Sequence, residues 1–127
     1  MKNLDPEWER FKRKYPKFPG VKEYVRLLHR GNVQGAWIDY ILDDLQEHAH
    51  LIADELIQAL IDEENDRVRI LLLQVVAEAG LHEATSILIG YLKSGDENLR
   101  SYAVEGLKKI DSKEARRALY ESGNIQL

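Results

Sequence analysis

The chain repeats itself at an interval of thirty-one residues. The segment 65–91 aligns with the segment 96–122. The matching positions are Val68-Arg69 with Leu99-Arg100, Val76 with Leu107, Glu83-Ala84 with Glu114-Ala115, and Leu88 with Leu119. Each unit carries two helical apolar patterns, and one unit cannot bury its own apolar face without neighbours. The repeat therefore predicts a stack of helix pairs.

The remainder of the chain after Gly20 also reads as helices. Apolar residues recur at helical spacing and no strand pattern of period two is present, so the sequence predicts an all-α fold. The predicted helices cover residues 21–30, 33–47, 50–63, 67–79, 82–93, 97–110 and 113–122. In the third helix the expected buried residues are Leu51, Ile52, Leu56, Ile57, Leu60 and Ile61. The fourth helix is apolar almost all round, which places it between neighbours.

Prolines divide the chain into two parts. All three lie in the first nineteen residues, and Pro16-Lys17-Phe18-Pro19-Gly20 breaks any helix. We expect residues 1–20 to be a basic and aromatic N-terminal cap, and residues 21–127 to be the helical repeat domain. Within the cap, residues 6–14 favour a short helix, and Trp8, Phe11 and Tyr15 give it an aromatic face.

Charge is distributed unevenly along the chain. Residues 1–30 hold nine Lys/Arg against four Asp/Glu, whereas residues 31–127 hold nine against eighteen. Ten carboxylates lie between Asp39 and Asp66 without one Lys or Arg among them. An acidic body of this kind repels a nucleic-acid duplex, which makes nucleic acid an unfavoured partner. The basic arm from Arg10 to Lys17 suits an RNA, an acidic protein, or the acidic repeats of its own chain.

The composition excludes several other classes. The chain has no Cys, which excludes disulfides, thiolate metal sites and cysteine nucleophiles. It has no apolar run of membrane-spanning length and no signal-peptide core, so the cytosol is the expected location and no membrane is an expected partner. The carboxylates and His residues around His48 and His50 form no matched ligand set on two helices. We therefore predict no metal, no cofactor and no catalytic residues.

The repeated units resemble the short HEAT-like repeats first noted in phycobilisome lyases. The family pattern is an acidic or Asn-rich turn, a Val-Arg dipeptide that opens a helix, a Gly stop, and a Glu-Ala that opens the next helix. One unit reads Asn65-Asp66-Arg67-Val68-Arg69, then Gly80 and Glu83-Ala84. The next unit has Asp111 where Gly is expected. A weaker copy upstream reads Asn32-Val33-Gln34, followed by Trp37 and Ile41.

The resemblance implies an α-solenoid of stacked antiparallel helix pairs with an N-terminal helical cap. It also implies that the helices opening with Val-Arg line the concave surface, where a partner binds. Carried over, the partner-binding positions are Asp39, Tyr40, Asp43, Ile70, Leu71, Gln74, Glu78, Ser101, Tyr102 and Glu105. Ile70 and Leu71 are equally compatible with burial under the N-terminal segment. Asp66, Arg69 and Arg100 are expected to bridge adjacent turns as structural residues.

These observations favour a non-enzymatic module that binds a basic protein through an acidic concave face. Two alternatives remain open. One is an immunity or antitoxin-type inhibitor of a basic toxin, which small size and acidic character permit. The other is a lyase-like chaperone for a chromophore protein, which the resemblance permits. Oligomeric state is not specified by the sequence.

Overall fold

The computed structural model describes residues 9–10, 13, 17–30 and 35–124 of the chain. Within these residues it contains seven α-helices longer than one turn, a short 3-10 helix and no strand, so the predicted all-α fold is confirmed. The helices are α1 (Val21–Leu28), α2 (Gly35–His48), α3 (Ala53–Asp62), α4 (Asp66–Ala79), α5 (Thr85–Tyr91), α6 (Glu97–Ile110) and α7 (Lys113–Glu121). The 3-10 helix, His82–Ala84, directly precedes α5. None of the described helices is long and apolar enough to span a bilayer.

The helices form two layers. In the even layer α2 packs on α4 and α4 packs on α6, while in the odd layer α1 packs on α3 and α5 packs on α7. Across the layers α1 contacts α2, α3 contacts α4, and α6 contacts both α5 and α7. The chain is therefore an α-solenoid of stacked helix pairs, with α4 at its centre, as its apolar sequence predicts.

The even layer repeats with a strict register. Its helices begin at residues 35, 66 and 97, and each is 14 residues long. The side chains that each helix turns into the core follow the same offset: Trp37, Ile41 and Leu45 in α2, Val68, Leu72 and Val76 in α4, and Leu99, Ala103 and Leu107 in α6. The sequence prediction gave Val33 the role of Val68. Val33 lies outside the described residues. At the common offset of thirty-one residues, Trp37 occupies the position of Val68.

The helix ends follow the chemistry of their terminal residues. The side chains of Asn65, Asp96 and Ser112 accept backbone N–H groups at the starts of α4, α6 and α7. Gly80 ends α4 in the left-handed conformation, with φ of 63°. Asp111 ends α6 in the same conformation, with φ of 53°. The Asp that departs from the repeat pattern thus takes over the backbone geometry of the missing Gly.

Two predicted helices begin later than expected. The predicted third helix, 50–63, starts only at Ala53, so Leu51 lies in the link before it and is 86% exposed. Ile61 is 55% exposed, because α3 turns Ala53, Leu56 and Leu60 inward instead. The expected burial of Leu51 and Ile61 was therefore wrong. The predicted fifth helix, 82–93, opens as the 3-10 turn and becomes α-helical only at Thr85.

A polar cluster ties the first helix pair to the second. Glu63 follows α3 and is only 8% exposed. Its Oε1 lies 3.0 Å from His29 Nε2, just after α1, and its Oε2 accepts the backbone N–H of Asn65 at 3.0 Å. Arg67 adds a guanidinium hydrogen bond to the carbonyl oxygen of Leu28. A buried carboxylate is costly unless it is paired in this way, so the cluster fixes the turn against α1.

Much of the predicted N-terminal cap lies outside the described residues, including Trp8, Phe11 and Tyr15. Phe18 is described, and it packs on the body of the protein. Its ring stacks on His48 with centroids 4.2 Å apart, and meets the edge of Tyr24 at 5.7 Å. The end of the N-terminal segment is therefore held against α1 and α2.

Candidate protein-binding face

One surface of the even layer carries all ten predicted partner-binding residues. We call it the even-layer face and define it by four rows that cross α2, α4 and α6 at the common register. The rows are Asp39/Ile70/Ser101, Tyr40/Leu71/Tyr102, Asp43/Gln74/Glu105 and Glu47/Glu78/Lys109. Every one of these side chains is exposed or half-buried, and none lies in the sealed core.

The second row is apolar. Tyr40 is 44% exposed, and Leu71 and Tyr102 are half-buried against the core. The hydroxyl of Tyr102 reaches across to α4, where it lies 3.5 Å from Oε1 of Gln74. Tyr102 therefore lies beside α4 and remains partly exposed. Aromatic residues in this situation are favoured anchors in protein interfaces.

The other rows are predominantly acidic. The face holds five carboxylates, Asp39, Asp43, Glu47, Glu78 and Glu105, against one cation, Lys109. The Lys109 ammonium donates to the carbonyl oxygen of Glu78 at 3.1 Å, near the end of α4. A Cβ on Gly80 would lie 2.9 Å from Cγ of Lys109, so a side chain at residue 80 would displace the stem of Lys109.

Sequence reasoning missed Glu47 as a member of the face. Its exposure and its place on α2 match those of Glu78 on α4, thirty-one residues later. The signal was present in the sequence, since Glu47 and Glu78 share the repeat offset. The sequence analysis took only Asp39, Tyr40 and Asp43 from the upstream copy and did not extend the count to Glu47.

The arginines that open the repeat make their hydrogen bonds within their own turns. Arg69 donates through Nε and Nη2 to the carbonyl oxygen of Glu63, at 3.2 and 2.7 Å, and pairs with Asp66 at 2.9 Å. Arg100 donates to the carbonyl oxygen of Ser94 at 2.7 Å, six residues earlier as in the preceding unit. The prediction placed these arginines as bridges between adjacent turns. In the structure their guanidinium groups donate hydrogen bonds to backbone carbonyl oxygens of their own turn, because the chain that leaves the preceding helix passes beside them.

Polar contacts also surround Asp44 on α2, where this helix packs on α1. Tyr24 donates its hydroxyl proton to Asp44 Oδ2 at 2.6 Å, and His48 Nδ1 lies 2.9 Å from the carbonyl oxygen of Asp44. Burial raises the pKa of Tyr24 far above its usual value, and the hydrogen bond to the Asp44 carboxylate raises it further. The His48 ring therefore stacks on Phe18 and places its Nδ1 within hydrogen-bond distance of the Asp44 carbonyl oxygen. The described residues include no cluster of three or more side chains suited to a metal ion.

Comparison with known proteins identifies the repeat. Residues 53–124 match the profile of the family described as HEAT repeats, which is more than half of the chain. No curated protein and no solved structure matches the chain. The matched residues run from α3 to just beyond α7 and include both units recognised from the sequence. The chain belongs to the HEAT repeat family, whose repeats generally mediate protein–protein interactions.

Proposed function

We propose that this chain is a non-enzymatic module that binds a basic protein through the even-layer face. The observation that supports this most directly is the composition of that face. An apolar row with two tyrosines lies among five carboxylates and one lysine, on three helices held in one register. The tyrosines and Leu71 supply apolar contact, and the carboxylates supply charge complementarity.

The two contributions differ in physical effect. Charges at the edge of an interface accelerate encounter and select partners of opposite sign, while buried aromatic side chains slow dissociation. Exposed charges are screened over about 10 Å at 0.1 M salt. Complex formation through this face therefore weakens as ionic strength rises, and retains an apolar component at high salt.

The experiment compares affinity capture by three forms of the full chain from lysate of the source organism. The wild type is set beside Asp43→Asn/Tyr102→Ala, which removes one charge and one anchor from the even-layer face. A control, Glu55→Gln/Glu121→Gln, removes two exposed carboxylates from α3 and α7 of the odd layer. Circular dichroism and thermal unfolding establish that each form is folded.

The proposal predicts a basic protein, identified by mass spectrometry, that the wild type and the control capture and the face variant loses. Its recovery should fall between 50 and 500 mM salt, a range chosen to span about a threefold change in screening length. Equal capture by the wild type and the face variant, or equal loss from both variants, contradicts the proposal.

A further inference from the structure

The two junctions of the even layer are closed to different degrees. At the α4–α6 junction the hydroxyl of Tyr102 lies 3.5 Å from Oε1 of Gln74. The ammonium of Lys109 donates to the carbonyl oxygen of Glu78 at 3.1 Å. Gly106 allows a close approach, since a Cβ there would lie 3.0 Å from the backbone of α4. Accordingly, α4 packs more closely on α6 than on α2.

The α2–α4 junction has none of these three features. At the offset of thirty-one residues, α4 carries different residues at the positions that close the other junction. The counterparts of Tyr102, Lys109 and Gly106 on α4 are Leu71, Glu78 and Val75. In the part of the chain that the structure describes, no side-chain hydrogen bond or ion pair of Asp43, Gln46 or Glu47 joins α2 to α4. The end of this junction therefore lacks the polar cross-links of the next one.

Acceptors without donors collect where α2 ends beside α4. Glu47 is the counterpart of Glu78 one repeat earlier, and both carry exposed carboxylates. The carbonyl oxygen of Glu47 corresponds to the one that Lys109 binds, and among the described residues no backbone N–H beyond α2 reaches it. Gln46 corresponds to Ala77 at the α4–α6 contact, and its side-chain oxygen is buried without a described hydrogen-bond partner. Because carbonyl groups at a helix C-terminus carry partial negative charge, this end of the junction favours a cation with N–H donors.

Lys109 shows which chemical group such a junction holds. An ammonium is a compact charge with three donors on a flexible stem, so it can serve a carbonyl oxygen and neighbouring carboxylates together. The chain has no Lys or Arg in residues 39–66, and the arginines of α4, Arg67 and Arg69, lie at the opposite end of that helix. The helices that form the α2–α4 junction therefore supply no cation to the end of α2.

We infer that the end of the α2–α4 junction binds a lysine side chain of the basic partner. The ammonium lies between the carboxylates of Glu47 and Glu78 and donates to the carbonyl oxygen of Glu47. Lys109 makes the equivalent contact to Glu78 one repeat later. This inference rests on the proposed function, because it names the residue by which the partner is recognised on the even-layer face.

The test uses nuclear magnetic resonance of the nitrogen-15-labelled full chain at low salt. The probe is lysine with its α-amino group acetylated and its carboxyl group converted to the methylamide, so that the side-chain ammonium is its only charge. The first comparison compound is the same molecule acetylated on the side-chain nitrogen, which keeps the stem and loses the charge. The second is tetramethylammonium, which keeps the charge and has no N–H donor. All titrations are matched in ionic strength.

The inference predicts saturable shifts in the amide signals of residues 46–49 and 77–80 with the lysine probe. The dissociation constant should be on the order of 1–10 mM, and neither comparison compound should reproduce the shifts. Glu47→Gln and Glu78→Gln should each weaken binding by roughly threefold or more, because each removes one carboxylate from the ammonium. The odd-layer variant Glu121→Gln also neutralises an exposed carboxylate at a helix end, and it should bind the probe as tightly as the wild type.

Three results overturn the inference and leave the proposed function to the lysate experiment. They are equal shifts with tetramethylammonium, shifts spread evenly over the even-layer face, and unchanged affinity in Glu78→Gln. Each would mean that the face attracts cations as a whole and has no lysine site at the α2–α4 junction. Absence of any saturable shift overturns the inference as well, whereas capture of a basic protein from lysate would still support the proposed function.

Discussion

At the scale of single residues, Asp111 shows how a repeat tolerates the loss of its glycine. It holds the left-handed conformation that ends α6, where Gly80 stands at the end of α4. Left-handed backbone costs an L-residue about 1–2 kcal/mol, although Asp and Asn tolerate it better than other residues. The Arg116 ion pair to Asp111 Oδ1 is largely exposed and contributes little.

We therefore expect Asp111→Gly to stabilise the protein by about 0.5 kcal/mol, the relief of backbone strain less the greater entropy of an unfolded glycine. Urea unfolding at neutral pH measures the change. Asp111→Ala is the matched control and should destabilise, because Ala has a Cβ but lacks the polar side chain that eases the left-handed state. Stabilisation by Ala would show that backbone strain at this residue is not the cause.

Tyr24 makes the stability of the folded protein depend on pH in the alkaline range. Its pKa is raised in the folded state, first by burial and then by Asp44, whereas an unfolded tyrosine ionises near pH 10. Below pH 10 both states keep the proton and the stabilisation is complete. Above pH 10 the unfolded state loses its proton first, so stability falls with rising pH by up to about 1.4 kcal/mol per unit for one such group.

The Tyr24→Phe variant should remove this contribution. Its stability at neutral pH falls by about 1–2 kcal/mol, because Asp44 loses a hydrogen-bond donor. Between pH 10 and 11 its stability should decline less steeply than that of the wild type. Tyr91 retains a slope of its own, since burial also raises its pKa. Parallel pH profiles for the two proteins, measured by urea unfolding, would exclude Tyr24 as a source of the dependence.

At the scale of helices and turns, the two repeat arginines differ in how strongly they hold their turns. Arg69 makes two hydrogen bonds to the carbonyl oxygen of Glu63 and an ion pair with Asp66, whereas Arg100 makes one hydrogen bond to Ser94. Hydrogen bonds from a charged group contribute about 1.5–3 kcal/mol when partly buried. Arg69→Met should therefore cost about 2 kcal/mol, and Arg100→Met about half as much.

Chemical denaturation of both Met variants checks this order. Met retains much of the apolar stem of Arg, so the difference reports the guanidinium contacts rather than the packing of the side chain. Arg116→Met, whose contacts are exposed and lie at the end of the array, serves as a control with a cost near that of surface positions. An equal cost for Arg69 and Arg100 would contradict the difference in their contacts.

The sequence predicted the helices well where the repeat offset could be counted, and less well elsewhere. For α6 the predicted and observed bounds coincide, because Asp96 and Asp111 mark both ends. The placement of Leu51 failed because residues 49–52 form a turn before α3 and not its first helical turn, so Ala49 and Ala53 are buried while Leu51 is exposed. On the face, the offset yields Tyr40 and Asp43, whereas the partner that they bind depends on a second molecule.

The described helices form a linear array in which each unit packs on its neighbours, so its stability is approximately the sum of units and junctions. Among the described glycines, Gly106 makes the closest approach to the backbone of another helix, at the junction between α4 and α6. A Cβ on Gly106 would lie 3.0 Å from Cα of Ala77 on α4 and 2.9 Å from Cδ1 of Leu88 on α5. Gly106 is therefore required for its lack of a side chain, even though glycine weakens a helix.

We expect Gly106→Ala to destabilise by about 1 kcal/mol, since overpacking of about 1–3 kcal/mol exceeds the gain of about 1 kcal/mol in helix propensity. Gly90→Ala on α5 is the matched control. A Cβ there meets nothing within 4 Å, so the same substitution should stabilise by about 0.5–1 kcal/mol.

Hydrogen exchange can locate the effect of Gly106→Ala along the array. Because the disturbed junction is the one between α4 and α6, the amides of α6 and α7 should lose protection, while those of α2 and α3 keep most of theirs. Gly90→Ala should not produce this asymmetry. Loss of protection by the same factor in every helix would mean that the array unfolds as one cooperative unit, and that its junctions cannot be weakened one at a time.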